Sequence, residues 1–153
     1  MSPRKLTFLC HSNGDYQRYL AESAANETRS ALVEKSRESY KAAWEIAVSQ
    51  LPETDATRLG LALNFSVFYF ELLESPDRAC HLAKYAFDSA LEKLDELPED
   101  EAADSIHILQ LLKDNLSLWL GQMETFRTCH AIVDAKPSFS FFSSLCPGRK
   151  GEF

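Results

Sequence analysis

The sequence is most informative at first for what it lacks. No run of about 18 apolar residues is present, so a transmembrane helix is not expected. The longest apolar stretch, Leu59 to Leu73, is interrupted by Asn64, Ser66 and Glu71. The apolar stretch near the start, Leu6 to Cys10, is too short for a signal peptide, which points to a cytoplasmic protein. Five glycines and six prolines are too few for a collagen-like or linker-like chain. The four cysteines (Cys10, Cys80, Cys129 and Cys146) form no CxxC pair, and Cys129-His130 stands alone, so free thiols and no metal are expected. Glycine-rich phosphate loops and nucleophile–base pairs are missing as well, which argues against an enzyme and leaves no expected cofactor. Positive charge is in deficit. The net charge of −7 argues against binding to the nucleic-acid backbone. That charge is concentrated in the first 121 residues, and residues 122–153 carry a balance of +1. The acidic stretch Glu92–Asp104 lacks the ligand spacing of a calcium loop and reads as a solvated helix end.

The chain has 153 residues, enough for one domain with a substantial core, and 45% of them are hydrophobic. Pro52, Pro76 and Pro98 recur at intervals of 24 and 22 residues, each in a short polar segment. The stretches between them are rich in Ala, Leu, Glu and Lys without strand alternation. An all-α antiparallel bundle or array follows, with helices expected near 5–24, 27–50, 57–74, 77–95 and 100–121. Ser75-Pro76-Asp77 reads as an N-cap, a proline at the first helical position and a carboxylate in the first turn. The third helix is apolar nearly all round and should be central. Asn64 and Glu71 lie two turns apart and share a face with Gly60, Leu63 and Val67. The fifth helix has one stripe for the core, with Leu109, Leu112, Leu116 and Trp119 or Leu120. Its second stripe, Ile108, Leu111, Asn115 and Leu118, suits either burial or a groove. Half the phenylalanines fall in residues 122–153, around Ser138–Leu145, and this segment is expected to be a poorly ordered tail.

Four long motifs carry a family resemblance. Arg58-Leu-Gly-Leu-Ala-Leu-Asn-Phe-Ser-Val-Phe-Tyr-Phe-Glu71 is nearly the signature of the seventh helix of the 14-3-3 family. Gly14-Asp-Tyr-Gln-Arg-Tyr-Leu-Ala-Glu22 is similar to the signature of the fifth. Ser75–Lys84 resembles the eighth helix and Gln110–Trp119 the ninth. The resemblance implies the family's TPR-like right-handed superhelical fold, represented by its C-terminal half and incomplete at the N-terminus. Residues 1–13 would be a divergent lead, 14–121 the partial domain and 122–153 the tail. It also implies an adaptor in signal transduction that binds phosphoserine or phosphothreonine segments of other proteins. By the same resemblance, Arg18 and Tyr19 would hold the phosphate. Asn64 and Asn115 would bond the peptide main chain, with Glu71 and Trp119 as a supporting pair that closes over it. Leu63, Val67, Ile108, Leu111 and Leu118 would form the apolar wall. The chemistry agrees: a guanidinium binds phosphate bidentately, and a side-chain amide donates and accepts at once.

The departures from the family are equally specific. The first four family helices are absent from this chain, and with them a lysine and a second arginine of the phosphate site and the usual dimer interface. His11 and Asn13 stand where the family usually has lysines, and His107 where it usually has leucine. Apolar surface is therefore expected to be uncovered on the first and third helices, and the chain to be monomeric when dilute and prone to associate. The alternatives are a phosphate-independent helical-repeat scaffold of the tetratricopeptide type, disfavoured by the missing 34-residue unit, or a non-functional fragment.

Overall fold

The computed structural model describes residues 1–131, and these form five α-helices joined by short connections. They are α1 (Pro3–Ser23), α2 (Asn26–Gln50), α3 (Ala56–Glu71), α4 (Pro76–Leu91) and α5 (Glu99–Ala131), with a 3₁₀ turn at Leu94–Glu96. No strand occurs among the described residues. Successive helices pack on one another, and α3 also touches α1 and α5. The fifth helix extends past the expected end near 121 to Ala131, so residues 122–131 continue the helix rather than begin the tail. The Phe-rich segment Ser138–Leu145 lies outside the described residues.

Local chemistry accounts for the helix starts. Ser2 caps α1, accepting from the Lys5 amide, and Pro3 takes the first turn, where a missing N–H costs nothing. Asp55 caps α3, accepting from the amides of Thr57 at 2.8 Å and Arg58 at 3.3 Å. Asp55 also takes an ion pair from Arg4 at 2.6 Å, which ties the start of α1 to the start of α3. The Ser105 hydroxyl donates to the Thr54 carbonyl at 2.6 Å and brings α5 to the same loop. At α4 the outcome differs from expectation: Ser75 holds the cap position but its side chain makes no capping bond. Its backbone N–H instead donates to the Tyr69 carbonyl at 2.9 Å, closing the end of α3. That tight turn sets Glu74 at φ 47°, a left-handed conformation that costs a non-glycine residue about 1 kcal/mol.

The core is built around α3. Leu59, Leu61, Ala62, Phe65, Phe68 and Tyr69 are all buried. The Phe65 ring stacks on Tyr69 at 4.6 Å and on Tyr40 of α2 at 5.2 Å between centroids. Each such ring contributes roughly 1.5–3 kcal/mol on burial. Ala43, Ala47, Ala79, Ala83, Ala86 and Ala90 line the facing helices and let them approach closely. Because α3 is enclosed on several sides, none of its large apolar side chains is among the exposed ones. The expected uncovered apolar surface is found on α1, at Leu6, Phe8, Leu9, Tyr16 and Leu20, and not on α3. No helix among the described residues is long and apolar enough to cross a membrane.

One close approach decides how α1 sits on α2. The Gly14 carbonyl accepts from the buried Ser36 hydroxyl at 2.9 Å, and a Cβ added at Gly14 would lie 3.1 Å from the Tyr40 ring. Tyr40 is hemmed in by Phe65 and Phe68 and has little room to retreat. Gly14→Ala is therefore expected to destabilise the chain by about 1–3 kcal/mol, the usual cost of overpacking. Urea unfolding of the variant checks this; an unchanged midpoint would mean that the ring yields freely.

Candidate functional site

The site begins with a stripe on α1. His11, Asp15, Arg18 and Glu22 recur at intervals of four, three and four, which sets them along one face of the helix. Asp15 is the junction. Its carboxylate accepts from the Tyr40 hydroxyl of α2 at 2.5 Å and from the Asn64 amide of α3 at 3.0 and 3.2 Å. His11 Nε2 lies 3.2 Å from Asp15 Oδ2 and 2.9 Å from Asn64 Nδ2. Three helices thus meet at one carboxylate.

Arg18 follows one turn on. Its side chain is 8% exposed, and Nη1 donates one long hydrogen bond, to the Glu22 carboxylate. The guanidinium lies 3.4 Å from Glu22, 4.0 Å from Asp15 and 4.0 Å from Glu71 of α3. Its Nε is buried without a hydrogen-bond partner. The cation lies over the ring of the exposed Tyr19, 4.5 Å from the centroid. A buried N–H left without an acceptor costs about 1–3 kcal/mol. The arrangement is a guanidinium held in place but not consumed, with an aromatic hydroxyl-bearing residue beside it at the surface. Chemically it can donate to an incoming oxyanion.

The electrostatics follow from these contacts. Burial works to raise the Asp15 carboxyl, but hydrogen bonds from His11, Tyr40 and Asn64 outweigh it and hold the group below the usual carboxylate range. Burial and the neighbouring Asp15 charge push the Tyr40 phenol up, so it remains a donor. Burial works to lower Arg18, and Tyr40, Tyr19 and Asp15 together more than reverse this.

Of the other residues singled out in the sequence, Glu71 is exposed and turns its carboxylate to Arg18. Leu63, Val67 and Ile108 are half-buried against the core. Leu111 and Leu118 on α5 are exposed, and Asn115 between them is half-buried. Trp119 is 4% exposed, as its place on the core stripe of α5 suggests, and stacks on Phe70 of α3 at 4.9 Å, locking α5 to α3 from within. Arg18, Tyr19, Asn64 and Glu71 are brought together through Asp15 and Arg18. The α5 residues are carried by a helix that packs on α3. Asp15, Tyr40 and Glu22 were not singled out as site residues. Asp15 and Glu22 lie one turn either side of Arg18, a spacing that marks them as its neighbours; Tyr40 left no local signal.

The lowered carboxyl of Asp15 makes a pH prediction. A group whose folded value lies below its unfolded one, near 3.8 for aspartate, stabilises the fold above that value. The contribution is lost as pH falls through the lower folded value. Asp15→Asn is therefore expected to be less stable than the parent at pH 7, and the gap to shrink below about pH 3.8. Chemical unfolding of both chains across that range measures it, and a gap independent of pH would remove Asp15 as the cause.

Comparison with known proteins shows the family. A sequence model of the family described as "14-3-3 protein" matches residues 2–120. The match begins ahead of Gly14 and takes in the stretch set apart above as a lead. The chain is 59% identical over 117 residues to a 14-3-3 protein homolog of Candida albicans, covering 76% of this chain and 44% of that protein. It is 54% identical over 123 residues to 14-3-3 protein zeta of Bombyx mori, covering 80% and 50%. It is equally 54% identical over 123 residues to the checkpoint signal transducer rad24 of Schizosaccharomyces pombe, covering 80% and 46%. The chain spans about half the length of the curated relatives it matches. With 119 of its 153 residues inside the family match, and with the helices and the polar junction described above, the chain belongs to the 14-3-3 family.

Proposed function

We propose that this chain is a cytoplasmic adaptor that acts by binding rather than by catalysis, taking up protein segments that carry phosphoserine or phosphothreonine. Arg18 and Tyr19 hold the phosphate. Asn64 and Asn115 grip the main chain of an extended peptide. Leu63, Val67, Ile108, Leu111 and Leu118 receive its apolar side chains. Glu71 steadies Arg18, and Trp119 backs the wall from the core. The order of the four motifs supports reading α1 to α5 as the fifth to ninth helices of a family member. The usual dimer contacts then lie outside these helices.

The observation that carries this reading is the state of Arg18. It is buried at the mouth of a polar junction, its Nε has no partner, and its nearest carboxylates stand off at 3.4–4.0 Å. A phosphate offers short, bidentate acceptors that none of these carboxylates provides. The same three carboxylates offset the charge of the cation, so the affinity is modest.

The test is calorimetric titration of the chain with one phosphoserine peptide and its unphosphorylated twin. Binding of the phosphorylated form alone is expected. Charge-assisted hydrogen bonds contribute about 1.5–3 kcal/mol each, so Arg18→Lys, which keeps the charge and gives up the fork, should weaken binding roughly 10- to 100-fold. Equal binding of both peptides would instead favour a phosphate-independent scaffold.

A further inference from the structure

Asn64 has no donor left for a peptide as its amide now stands. Nδ2 has two hydrogens. One is directed at the Asp15 carboxylate, 3.0 and 3.2 Å away, and the other at His11 Nε2, 2.9 Å away. The orientation of the amide is determined, because turning its oxygen inward would set it against the Asp15 carboxylate. His11 Nε2 has two claims on it as well. To accept from Asn64 it must be bare; to donate to Asp15 Oδ2, at 3.2 Å, it must carry a proton. One nitrogen cannot do both.

We propose that His11 is a positioning residue for Asn64: bare at Nε2, the imidazole holds the amide inward, and protonated, it donates to Asp15 and turns the amide out toward a bound peptide. In the second state two N–H groups would meet at 2.9 Å if Asn64 stayed in place, and the side chain that can turn is the amide. This inference rests on the reading of Asn64 as a peptide ligand. The charged and titratable groups around His11 are Asp15 on its own helix, Arg18 beyond it, Tyr40 from α2 with ring centroids 6.2 Å apart, and Glu71 of α3 behind Arg18. Asp15 is held ionised and Tyr40 protonated, which leaves the imidazole between them as the group whose proton can move. A lysine, the residue that the resemblance leads one to expect here, has donors only and could never hold the amide inward. The device therefore belongs to this chain's own sequence.

Two measurements test it. In the chain without peptide, the side-chain amide resonances of Asn64 are followed by NMR from pH 5 to 8. They should titrate together with the His11 ring, and those of Asn115 should not. Asn64 signals that ignore the His11 titration would overturn the proposal, and this needs no variant to fold. The second measurement is the affinity for a phosphoserine peptide at pH 7.5 and 6.0. On acidification the parent should gain roughly 2- to 10-fold relative to His11→Lys, the worth of one freed hydrogen bond; the ratio cancels the titration of the phosphate itself. In Asn64→Ala the gain should vanish. A gain that survives there would mean that the imidazolium attracts the phosphate directly and does not act through Asn64. Absence of any phosphopeptide binding would overturn the functional reading, and with it the role at the peptide. The amide titration would still decide whether His11 controls Asn64.

Discussion

The carboxylate of Asp15 is the constraint on which the rest of the site depends. It is one-fifth exposed and sits where α1, α2 and α3 meet. A partly buried charge is costly unless polar groups surround it, and each helix brings one: His11 from α1, Tyr40 from α2 and Asn64 from α3. Tyr40 is thereby fixed in orientation. Tyr40 carries the constraint into the core through its contacts with Phe65 and Phe68. Asn64 carries it to the surface. Arg18, one turn along α1, has the same carboxylate at the limit of ion-pair range, so its position is set without its charge being cancelled.

That arrangement explains why a helix as apolar as α3 tolerates polar interruptions. Its buried faces are aliphatic and aromatic because four helices surround it. Asn64 and Glu71 occur on the side that meets α1, where Asp15 and Arg18 receive them. The far end of the molecule uses the same principle for stability. There Asp55 caps α3 and takes Arg4, Thr54 receives Ser105, and the Arg58 guanidinium donates to the Leu51 carbonyl at 2.8 Å. The donors and acceptors at that end are closed on one another. At the Arg18 end the guanidinium Nε remains without a partner.

Much of this was legible before any coordinates. Prolines at regular intervals and Ala- and Leu-rich stretches between them specify helices because proline removes an N–H and glycine-poor, unbranched sequence favours the helical backbone. The central place of α3 followed from its missing polar face. Arg18, Tyr19, Asn64 and Glu71 stood out through motif context, since two residues spaced by whole turns share a helix face whatever the fold. Helix ends were less legible. The turn after α3 is closed by a backbone bond from Ser75 to Tyr69, which no side-chain cap signals, and α5 runs on to Ala131 past a glycine at 121.

What the sequence by itself determined, then, is the set of helices, their apolar faces and the residue types capable of gripping a phosphate and a peptide chain, because these depend on spacing along one helix. What only the tertiary structure decided is how those residues are shared between helices. The 25 residues between Asp15 and Tyr40 and the 49 between Asp15 and Asn64 hold no local record of their contact. The same holds for the second stripe of α5, which suits a groove or a core equally: Leu111 and Leu118 are left exposed, while Trp119 on the core stripe packs against Phe70. Periodicity reports which side of a helix a residue occupies, and only the neighbouring helix, brought there by the burial of apolar surface, determines what that side meets.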